Sequence, residues 1–414
     1  MNQTNPLPVK QLAVSEGLWM ITHPYVLALW LFASLASAWK GWTAPSLFCG
    51  FVFVFFTTSR IWGMTALRRV SCENSASLTG LFPGQRLTLT RIVKNAKLLP
   101  LLWLEILEPY DPQGCLQADA RYIARRDEPE GKFSYFCLYT LVLMKWRQTV
   151  RFNDEWLAVR RGIRLVDSVE LRSGDSLGLC PASRRFPLEQ ACMVAVYPAL
   201  VSVDVELVLR DIWDSFSATA GTLEDTVWIK SIRDYMPQDP ARRINQRLLA
   251  RGQGLKVNQY EVVAPDEVLF IMDTASYGDA SAASLEESLS ILGSLISGLQ
   301  ARGFRVGLLV PASDYFPQTY VQPSSQTSDL TRMLKHLASV QAHDPALNKV
   351  SASLSTDTSG QVYYLVYSLE AAASLDVLDE FPQHKCQILV YTQAQADRPA
   401  GGWRVRMLTE LKKY

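Results

Sequence analysis

Residues 232–251 carry the densest group of side chains that could recognise another molecule. The segment contains Arg233, Tyr235 and Asp239, and it continues with the further arginines Arg242, Arg243, Arg247 and Arg251. A guanidinium group binds a carboxylate through two parallel, charge-assisted hydrogen bonds. This composition indicates an internal ion pair, a surface for an acidic partner, or both.

The two roles use different residues. In the first, Arg233, Tyr235 and Asp239 form a hydrogen-bonded clamp between two soluble domains, because a charge-assisted bond holds a fixed angle well. In the second, an acidic protein docks on Arg242, Arg243, Arg247 and Arg251. Since no residue is shared, both roles can hold together.

Local signals predict how the segment folds. Asp239 followed by Pro240 predicts a helix start, since the carboxylate can accept first-turn N–H groups and proline suits the first helical position. Gly252 predicts the end of this helix. The apolar residues are expected along one packed side, namely Ile244, Leu248 and Leu255.

The same segment resembles a known bacterial family. Its pattern reads Arg233-x-Tyr235-x-Pro237-x-Asp239-x-x-Arg242-x-Ile244-Asn245, followed by Ala250-Arg251 and Leu255-x-Val257. This is similar to the signature of the domain-of-unknown-function family number fifty-eight, which is found beside MoxR-type AAA+ ATPases. Gln238 and Gln246 depart from the Gly and Trp that the family usually has. The resemblance implies a MoxR-type ATPase as partner and names no reaction.

Weaker motifs extend the resemblance toward the N-terminus. Val93-x-Asn95, Arg161-Gly162, Gly174-Asp175 and Val196-Tyr197-Pro198 stand where the family has comparable residues. Glycine and aspartate pairs of this kind are also ordinary turn residues, which is the structural alternative.

Two apolar runs near the N-terminus predict a transmembrane helical hairpin. Residues 17–39 carry no charge over a length that crosses a bilayer, and a second run covers residues 42–59. Arg60, Arg68 and Arg69 follow the second run, so the positive-inside bias places both ends in the cytoplasm of a bacterial inner membrane protein. A signal peptide cleaved near Ala36-Ser37-Ala38 is the alternative, and the second apolar run argues against it.

Composition excludes several classes of protein. The formal net charge of +1 over 414 residues provides no global field for nucleic acid. Seven cysteines, an odd number without a Cys-x-x-Cys pair, argue against a disulfide framework and a structural zinc site. Phosphate-loop, zinc-protease and nucleophile-elbow motifs are absent from the sequence.

The remaining sequence predicts two soluble domains. Short β-rich segments at residues 86–93, 101–107, 133–144, 156–165 and 193–196 favour an antiparallel β-sandwich-like domain. Strands at residues 267–273, 304–310, 362–367 and 386–391 alternate with apolar helical patterns, the last of these at 371–378, and favour a parallel α/β sheet. The expected organisation is 1–70 for the hairpin, 71–215 for the sandwich-like domain, 216–262 for the connector and 263–414 for the α/β domain.

Asp273 ends the first of the α/β strands, where open sheets of this type bind ligands. The α/β domain resembles a von Willebrand factor A domain, whose adhesion site carries Asp-x-Ser-x-Ser at this turn. The resemblance implies a Mg²⁺ ion held by short oxygen ligands, with one position left for a partner's carboxylate. The turn reads Asp273-Thr274-Ala275-Ser276-Tyr277-Gly278-Asp279, with Ala and Tyr at the serine positions, and Glu370 follows a later strand. Asp273, Ser276 and Asp279 are the candidate ligands, and a metal-free capped turn is the alternative.

These observations predict a membrane-anchored, non-enzymatic interaction or scaffold protein. Its partner would be a MoxR-type ATPase, it would need no cofactor, and it would act in the assembly or maturation of a client complex. One alternative is a metal-dependent adhesion module that uses Asp273 and its neighbours. Another is a membrane-tethered hydrolase that uses His343 or His384.

Overall fold

The computed structural model divides into two compact units, Met1–Tyr197 and Pro198–Tyr414. It describes residues 10–12, 23–118, 123–127, 134–219, 224–262, 266–278, 280–341, 360–368, 386–392 and 404–413. Some sequence predictions fall outside these ranges, namely the helix at 371–378, the two hydrolase candidates His343 and His384, and the carboxylates Asp279 and Glu370.

Two helices lead the first unit. Helix α1 covers Pro24–Trp39 and helix α2 covers Thr43–Ala66. Ser34 Oγ donates to the carbonyl oxygen of Ser46 at 3.0 Å, and Ser46 Oγ donates back to that of Ser34 at 3.1 Å. These reciprocal bonds join the two helices at small residues, where their backbones can approach closely.

Helix α2 is long and apolar enough to cross a membrane. Its 24 residues span about 36 Å at 1.5 Å per residue, against about 30 Å for a hydrocarbon core. Only 11% of its most apolar stretch is buried within the protein. The described part of α1 has 16 residues, about 24 Å, and is too short for the same test.

Helix α2 extends beyond the predicted run, which ended near residue 59. The apolar residues after Arg60 continue the helix to Ala66. This basic residue therefore interrupts the apolar run but not the helical conformation of the backbone. A Cβ atom at Gly63 would overlap the carbonyl oxygen of Cys180. The last turns of α2 therefore pack directly on the β-strand region of the unit.

The strands of the first unit form two sheets. Their bounds are β1 Lys10–Leu12, β2 Val70–Ala76, β3 Gly80–Leu81, β4 Arg86–Asn95, β5 Leu101–Pro109, β6 Leu116–Ala118, β7 Ile123–Asp127, β8 Ser134–Met144, β9 Thr149–Ala158, β10 Gly162–Ser173 and β11 Ala182–Val196. One sheet has the order β1-β7-β8-β5-β10-β11-β3 and the other has the order β2-β4-β9-β6. The pairings are antiparallel except β1 with β7 and β3 with β11.

One predicted strand was wrong. Residues 156–165 were expected to be continuous, but β9 ends at Ala158 and β10 begins at Gly162. Apolar residues alternate on both sides of the break, so the period of two hides the turn. Gly162 has φ +153°, and a Cβ atom there would lie 3.0 Å from Cβ of Cys115. This glycine permits the close approach that the turn requires.

Alternating burial joins the two sheets through shared apolar cores. Along β4, every second residue from Leu87 is buried. One core cluster contains Cys72 and Val93 from one sheet and Leu104 and Ile106 from the other. A second cluster joins Trp156 and its neighbours to residues of the opposite sheet. The two sheets therefore pack face to face.

A buried ionic group lies between these sheets. Arg91 of β4 and Glu108 of β5 are 0% and 1% exposed, and the Arg91 Nη2 atom pairs with Glu108 Oε2. Arg164 Nη2 binds the other carboxylate oxygen at 2.6 Å, and its guanidinium lies 4.4 Å from the ring centroid of Trp156. Two cations thus share one carboxylate, which offsets the cost of burying Arg91 and Glu108 and of partly burying Arg164.

We expect Glu108→Gln to destabilise the full-length protein by about 3–5 kcal/mol, because both arginines would lose their counter-charge in the interior. Unfolding by denaturant in detergent micelles would measure this. Glu155→Gln is the matched control, since Glu155 and Arg86 form an ion pair with both side chains more than 70% exposed. That change is expected to cost less than about 1 kcal/mol. Equal effects of the two substitutions would contradict the role assigned to the buried group.

The second unit contains a two-stranded sheet and a mixed sheet. Its helices are α3 Val205–Thr219, α4 Gln246–Ala250, α5 Ala282–Gln300 and α6 Thr327–Ser339. Its strands are β12 Glu224–Asp234, β13 Lys256–Val262, β14 Glu267–Met272, β15 Arg305–Leu309, β16 Tyr320–Ser324, β17 Gln361–Val366, β18 Cys386–Val390 and β19 Arg404–Met407. The predicted strands of the α/β region and its helices at α5 and α6 are confirmed. Strands β16 and β19 were not predicted.

The mixed sheet has the order β16-β15-β14-β17-β18-β19. All neighbours are parallel except β15 and β16, which are antiparallel. The first strand along the chain, β14, therefore lies in the interior of the sheet, and the chain moves first to one side of it and then to the other. Open sheets of this order bind ligands where the direction reverses, beyond the carboxyl ends of the central strands.

Helix α3 belongs to the second unit, although the expected boundary lay at residue 215. Val208 and Ile212 of this helix are 1% exposed. The Tyr363 hydroxyl of β17 donates to the carbonyl oxygen of Val208 at 3.4 Å, and Arg406 Nη2 of β19 binds Asp211 Oδ1 at 2.9 Å. The apolar face of α3 covers this sheet, so the second unit begins before the helix.

Candidate functional site

Strands β12 and β13 pair only with each other among the described residues and form the basic hairpin, defined as residues 224–262. Its tip differs from the predicted helix. A short 3₁₀ turn covers Ala241–Arg243, and α4 begins only at Gln246. Asn245 Oδ1 accepts the Leu248 N–H at 3.1 Å and is therefore the helix cap. Gly252, with φ +73°, follows the end of α4 as predicted.

Asp239 does not cap a helix because Arg233 occupies its carboxylate. Arg233 Nη1 donates to Asp239 Oδ2 at 2.7 Å and Nη2 donates to Oδ1 at 2.6 Å. The Met236 N–H donates to Oδ2 at 2.8 Å. These bonds, first that of Arg233 and then that of Met236, lower the pKa of Asp239. The carboxylate therefore stays charged, and the loop stays closed, to a pH below the usual range of aspartate.

The other signature residues fix the tip against β13. Ile244 forms an isolated antiparallel bridge with Val257. The Asn245 N–H donates to the Lys256 carbonyl oxygen at 2.8 Å, and Asn245 Nδ2 donates to Asn258 Oδ1 at 2.7 Å. The residues that resemble the family signature are thus the ones that fix the conformation of the tip.

The predicted clamp is local to this hairpin. Arg233 and Asp239 are six residues apart, and both belong to the second unit. Tyr235 is half-buried, and its N–H donates to the Leu255 carbonyl oxygen at 3.0 Å. These contacts close a loop, which is a different role from the interdomain clamp that the sequence suggested.

The tip presents a basic and partly apolar surface. Arg242, Arg247 and Arg251 are exposed, and Arg243 is half-buried and lowers the pKa of Asp239 by its charge. Residues 231–258 contain six basic and two acidic side chains, a net charge of +4, whereas the whole chain carries +1. Four apolar side chains of the tip are 44–49% exposed, namely Ile232, Met236, Leu249 and Leu255. The expectation that Leu255 packs along a helix was therefore wrong.

The second predicted site, at the end of β14, forms a closed hydrogen-bonded turn. Asp273 is 0% exposed. Its Oδ1 atom accepts the Ala275 N–H at 3.2 Å, and its Oδ2 atom accepts the Tyr364 hydroxyl at 3.1 Å. Ser276 Oγ donates to the Asp273 carbonyl oxygen at 2.7 Å and accepts the Tyr367 N–H at 3.0 Å. The turn is thus tied to β17 by both side chains.

Tyrosine rings lie beside this turn. Tyr277 is 0% exposed, and its hydroxyl donates to Ser288 Oγ of α5 at 2.9 Å. Its ring centroid is 5.6 Å from that of Tyr367, which stacks on Tyr391 at 5.9 Å. Sequence reasoning missed this group, although Tyr367 and Tyr391 are each the last residue of a predicted strand.

Metal and histidine chemistry find little support in the described ranges. No group of three or more His, Cys, Asp or Glu residues that could hold a metal ion occurs there. His336 is 2% exposed, and burial lowers its pKa to about 4. It stays neutral at physiological pH and lies against the Phe316 ring with centroids 4.8 Å apart.

We expect Asp239→Asn to loosen the hairpin tip, because a neutral amide cannot keep the charge-assisted pair with Arg233. Hydrogen exchange at the Met236 amide should become faster, since its acceptor is weakened. Asp234→Asn is the control, because Asp234 is 88% exposed and pairs with Lys256 at the surface. Unchanged exchange at Met236 in Asp239→Asn would show that the ion pair does not hold the loop.

No protein-family model matches this chain. The uncharacterized protein YeaD of Bacillus subtilis (strain 168) is 25% identical over 288 residues, which cover 69% of this chain and 65% of YeaD. The match thus spans less than two thirds of that relative. Among solved structures, the sporulation control protein Spo0M from Bacillus subtilis matches 41% of this chain and 58% of its own, with 9% identity and a TM-score of 0.18. A cohesin module from Clostridium perfringens matches 30% of this chain and 98% of its own, with 8% identity and a TM-score of 0.18. Scores this low establish no shared fold.

Proposed function

We propose that this chain is a membrane-anchored, non-enzymatic interaction protein that acts with a MoxR-type AAA+ ATPase in the assembly or maturation of a client complex. The observation that carries the proposal is the basic tip of the hairpin. Its net charge of +4 exceeds that of the whole chain, so the remaining residues together are slightly acidic. A positive patch that is concentrated in this way favours an acidic protein surface and sets the orientation of docking.

The shape of the tip supports the same interpretation. The Arg233 and Asp239 bond and the Asn245 contacts hold the loop, so they leave the exposed arginines on a preformed support. Preorganised loops lose less conformational entropy on binding. Exposed Met236 and Leu249 add apolar area beside the charges. An acidic partner with apolar residues among its carboxylates would match both features.

The N-terminal helices support membrane anchoring. Helix α2 meets the length and hydropathy of a span, and α1 contacts it through the Ser34 and Ser46 bonds. We propose that both helices cross the inner membrane as a hairpin, with the soluble part in the cytoplasm on the side of Arg68 and Arg69. A MoxR-type ATPase in the cytoplasm could then bind the tip of the basic hairpin.

The mixed sheet supports a von Willebrand A-like assignment for the second unit. Counted along the chain, its six strands have the order 3-2-1-4-5-6, with the third strand antiparallel at one edge. This is a doubly wound order, in which the ends of β14 and β17 form the switch point. In such a protein the mixed sheet would support the basic hairpin and bind the client near it.

A crosslinking pull-down from native membranes in the nucleotide-bound state tests the partner. We expect wild-type protein to capture a MoxR-type ATPase, and we expect the variant with Arg242→Glu, Arg247→Glu and Arg251→Glu to capture at least about tenfold less, because like charges then oppose docking. Arg151→Glu, at an exposed arginine of β9 in the other unit, is the charge control.

Two outcomes would refute the partner claim. In the first, no AAA+ ATPase is recovered with wild-type protein. In the second, Arg151→Glu reduces capture as much as the tip variant does, which would show a nonspecific charge effect. Asp273→Ala in the same experiment tests whether capture depends on the strand-end turn and not on the basic hairpin, because the two lie in different sheets of the second unit.

Protease accessibility and mass test the anchor. We expect the soluble units to be digested in inverted inner-membrane vesicles and protected in intact spheroplasts. The mass of the purified chain should include residues 1–38, since an uncleaved anchor retains them. A chain that begins after Ala38 would instead identify a signal peptide. Digestion in spheroplasts would place the soluble part outside the cytoplasm.

A further inference from the structure

The described residues of the turn after β14, 273–278, do not supply the ligand set that a metal-dependent adhesion site needs. Mg²⁺ requires near-octahedral oxygen coordination. Position 275, where the motif has its first serine, carries alanine, which has no side-chain oxygen. Position 277, where the second serine belongs, carries Tyr277, whose hydroxyl donates to Ser288 of α5. Neither position supplies a ligand, so the residues present do not fit the ion.

Asp273 is already compensated by the protein. A carboxylate that is 0% exposed needs donors to replace its lost hydration. The Ala275 N–H serves Oδ1, and the Tyr364 hydroxyl serves Oδ2. Burial and the neighbouring Asp273 charge raise the pKa of Tyr364 above its usual value. The phenol therefore keeps its proton at neutral pH and remains a donor.

The hydroxyl groups of the turn supply too little for an ion. Ser276 Oγ uses its proton on the Asp273 carbonyl oxygen and accepts from the Tyr367 N–H. Thr274 Oγ1 is buried and has no hydrogen-bond partner within the described ranges. Within the described residues of the turn, this leaves one unpartnered hydroxyl beside a carboxylate that already accepts a donor on each oxygen, which is a poor ligand set for Mg²⁺.

We infer that the strand-end site of this protein works without a divalent cation, because the phenol of Tyr364 takes the place of the ion as the partner of Asp273. The Tyr364 hydroxyl of β17 donates to Asp273, which follows β14, so the bond joins the two strands at the switch point. The turn is then stable without Mg²⁺, and chelators leave the stability of the protein unchanged. This inference concerns the mixed sheet and does not depend on what docks at the basic hairpin.

Thermal unfolding of the full-length protein in detergent micelles tests the ion. We expect Mg²⁺ or Mn²⁺ in place of EDTA to change the midpoint of wild type by less than about 1 °C, whereas an ion far above its dissociation constant would raise it by several degrees. A rise that is lost in Asp273→Asn overturns the inference. A rise that persists in Asp273→Asn comes from another site and agrees with it.

A double-mutant cycle tests the phenol. Tyr364→Phe and Asp273→Asn each remove one side of the bond, so their combined effect on the midpoint should be smaller than the sum of the single effects. Tyr363→Phe is the control, because this neighbouring buried tyrosine donates to the Val208 carbonyl oxygen. Its effect should add to that of Asp273→Asn. Additive effects for Tyr364→Phe would overturn the assignment of the phenol.

Mn²⁺ binding to the unmodified protein gives a measurement that needs no variant. The electron paramagnetic resonance signal of free Mn²⁺ falls when the ion binds to a protein. With wild-type protein in excess of Mn²⁺, we expect this signal to stay unchanged. If Asp273→Asn fails to fold, this measurement decides the matter. Binding at one ion per chain, displaced by Mg²⁺, would overturn the inference.

Discussion

A charge that is removed from water must be paired inside the protein, and this constraint accounts for several of the contacts that define the chain. In the first unit, Glu108 lies between Arg91 and Arg164 at 1% exposure, where the two sheets meet. An isolated charge there would oppose the packing of the apolar cores on either side. The pairing of residues from β4, β5 and β10 therefore favours the observed packing of the two sheets, because it gives the buried carboxylate of Glu108 two cationic partners.

The same constraint operates in the second unit with other partners. Asp273 is satisfied by a backbone N–H and a phenol, and Asp239 by a guanidinium and a backbone N–H. In the mixed sheet the bond holds the switch point closed, and in the hairpin it closes a loop beside exposed arginines. The need to pair a carboxylate thus stabilises the turn after β14 through Asp273 and the loop beside the exposed arginines through Asp239. The two cases differ in how far each carboxylate lies from solvent.

The distribution of charge and apolar surface connects these parts with the proposed function. Helix α2 exposes apolar side chains along its length, as a membrane segment must. The hairpin tip exposes basic side chains and a few apolar ones in the second unit, which suits a protein partner.

Pattern alone determined the elements whose apolar residues form a clear run or a regular period. Strands β14, β15, β17 and β18 are short, continuous and almost fully buried apolar runs, β4 alternates with a period of 2, and helices α5 and α6 follow the period of 3.6. Strands β16 and β19 were missed, because edge strands are short and half-exposed, and their weak patterns do not stand out. The turn between β9 and β10 was missed because alternation continues across it.

The sequence also identified several residues of both candidate sites, but not all of their contacts. It selected Arg233 and Asp239 as a pair, whereas only the tertiary structure showed that they close one loop and that Asn245 caps the helix. Asp273 was located by its place after a strand, yet Tyr364 lies 91 residues further along the chain. The bond forms because Ile271 of β14 pairs with Tyr364 of β17. Local period and spacing are properties of the chain itself, but the partner of a buried charge is set by sheet register, which a single sequence does not contain.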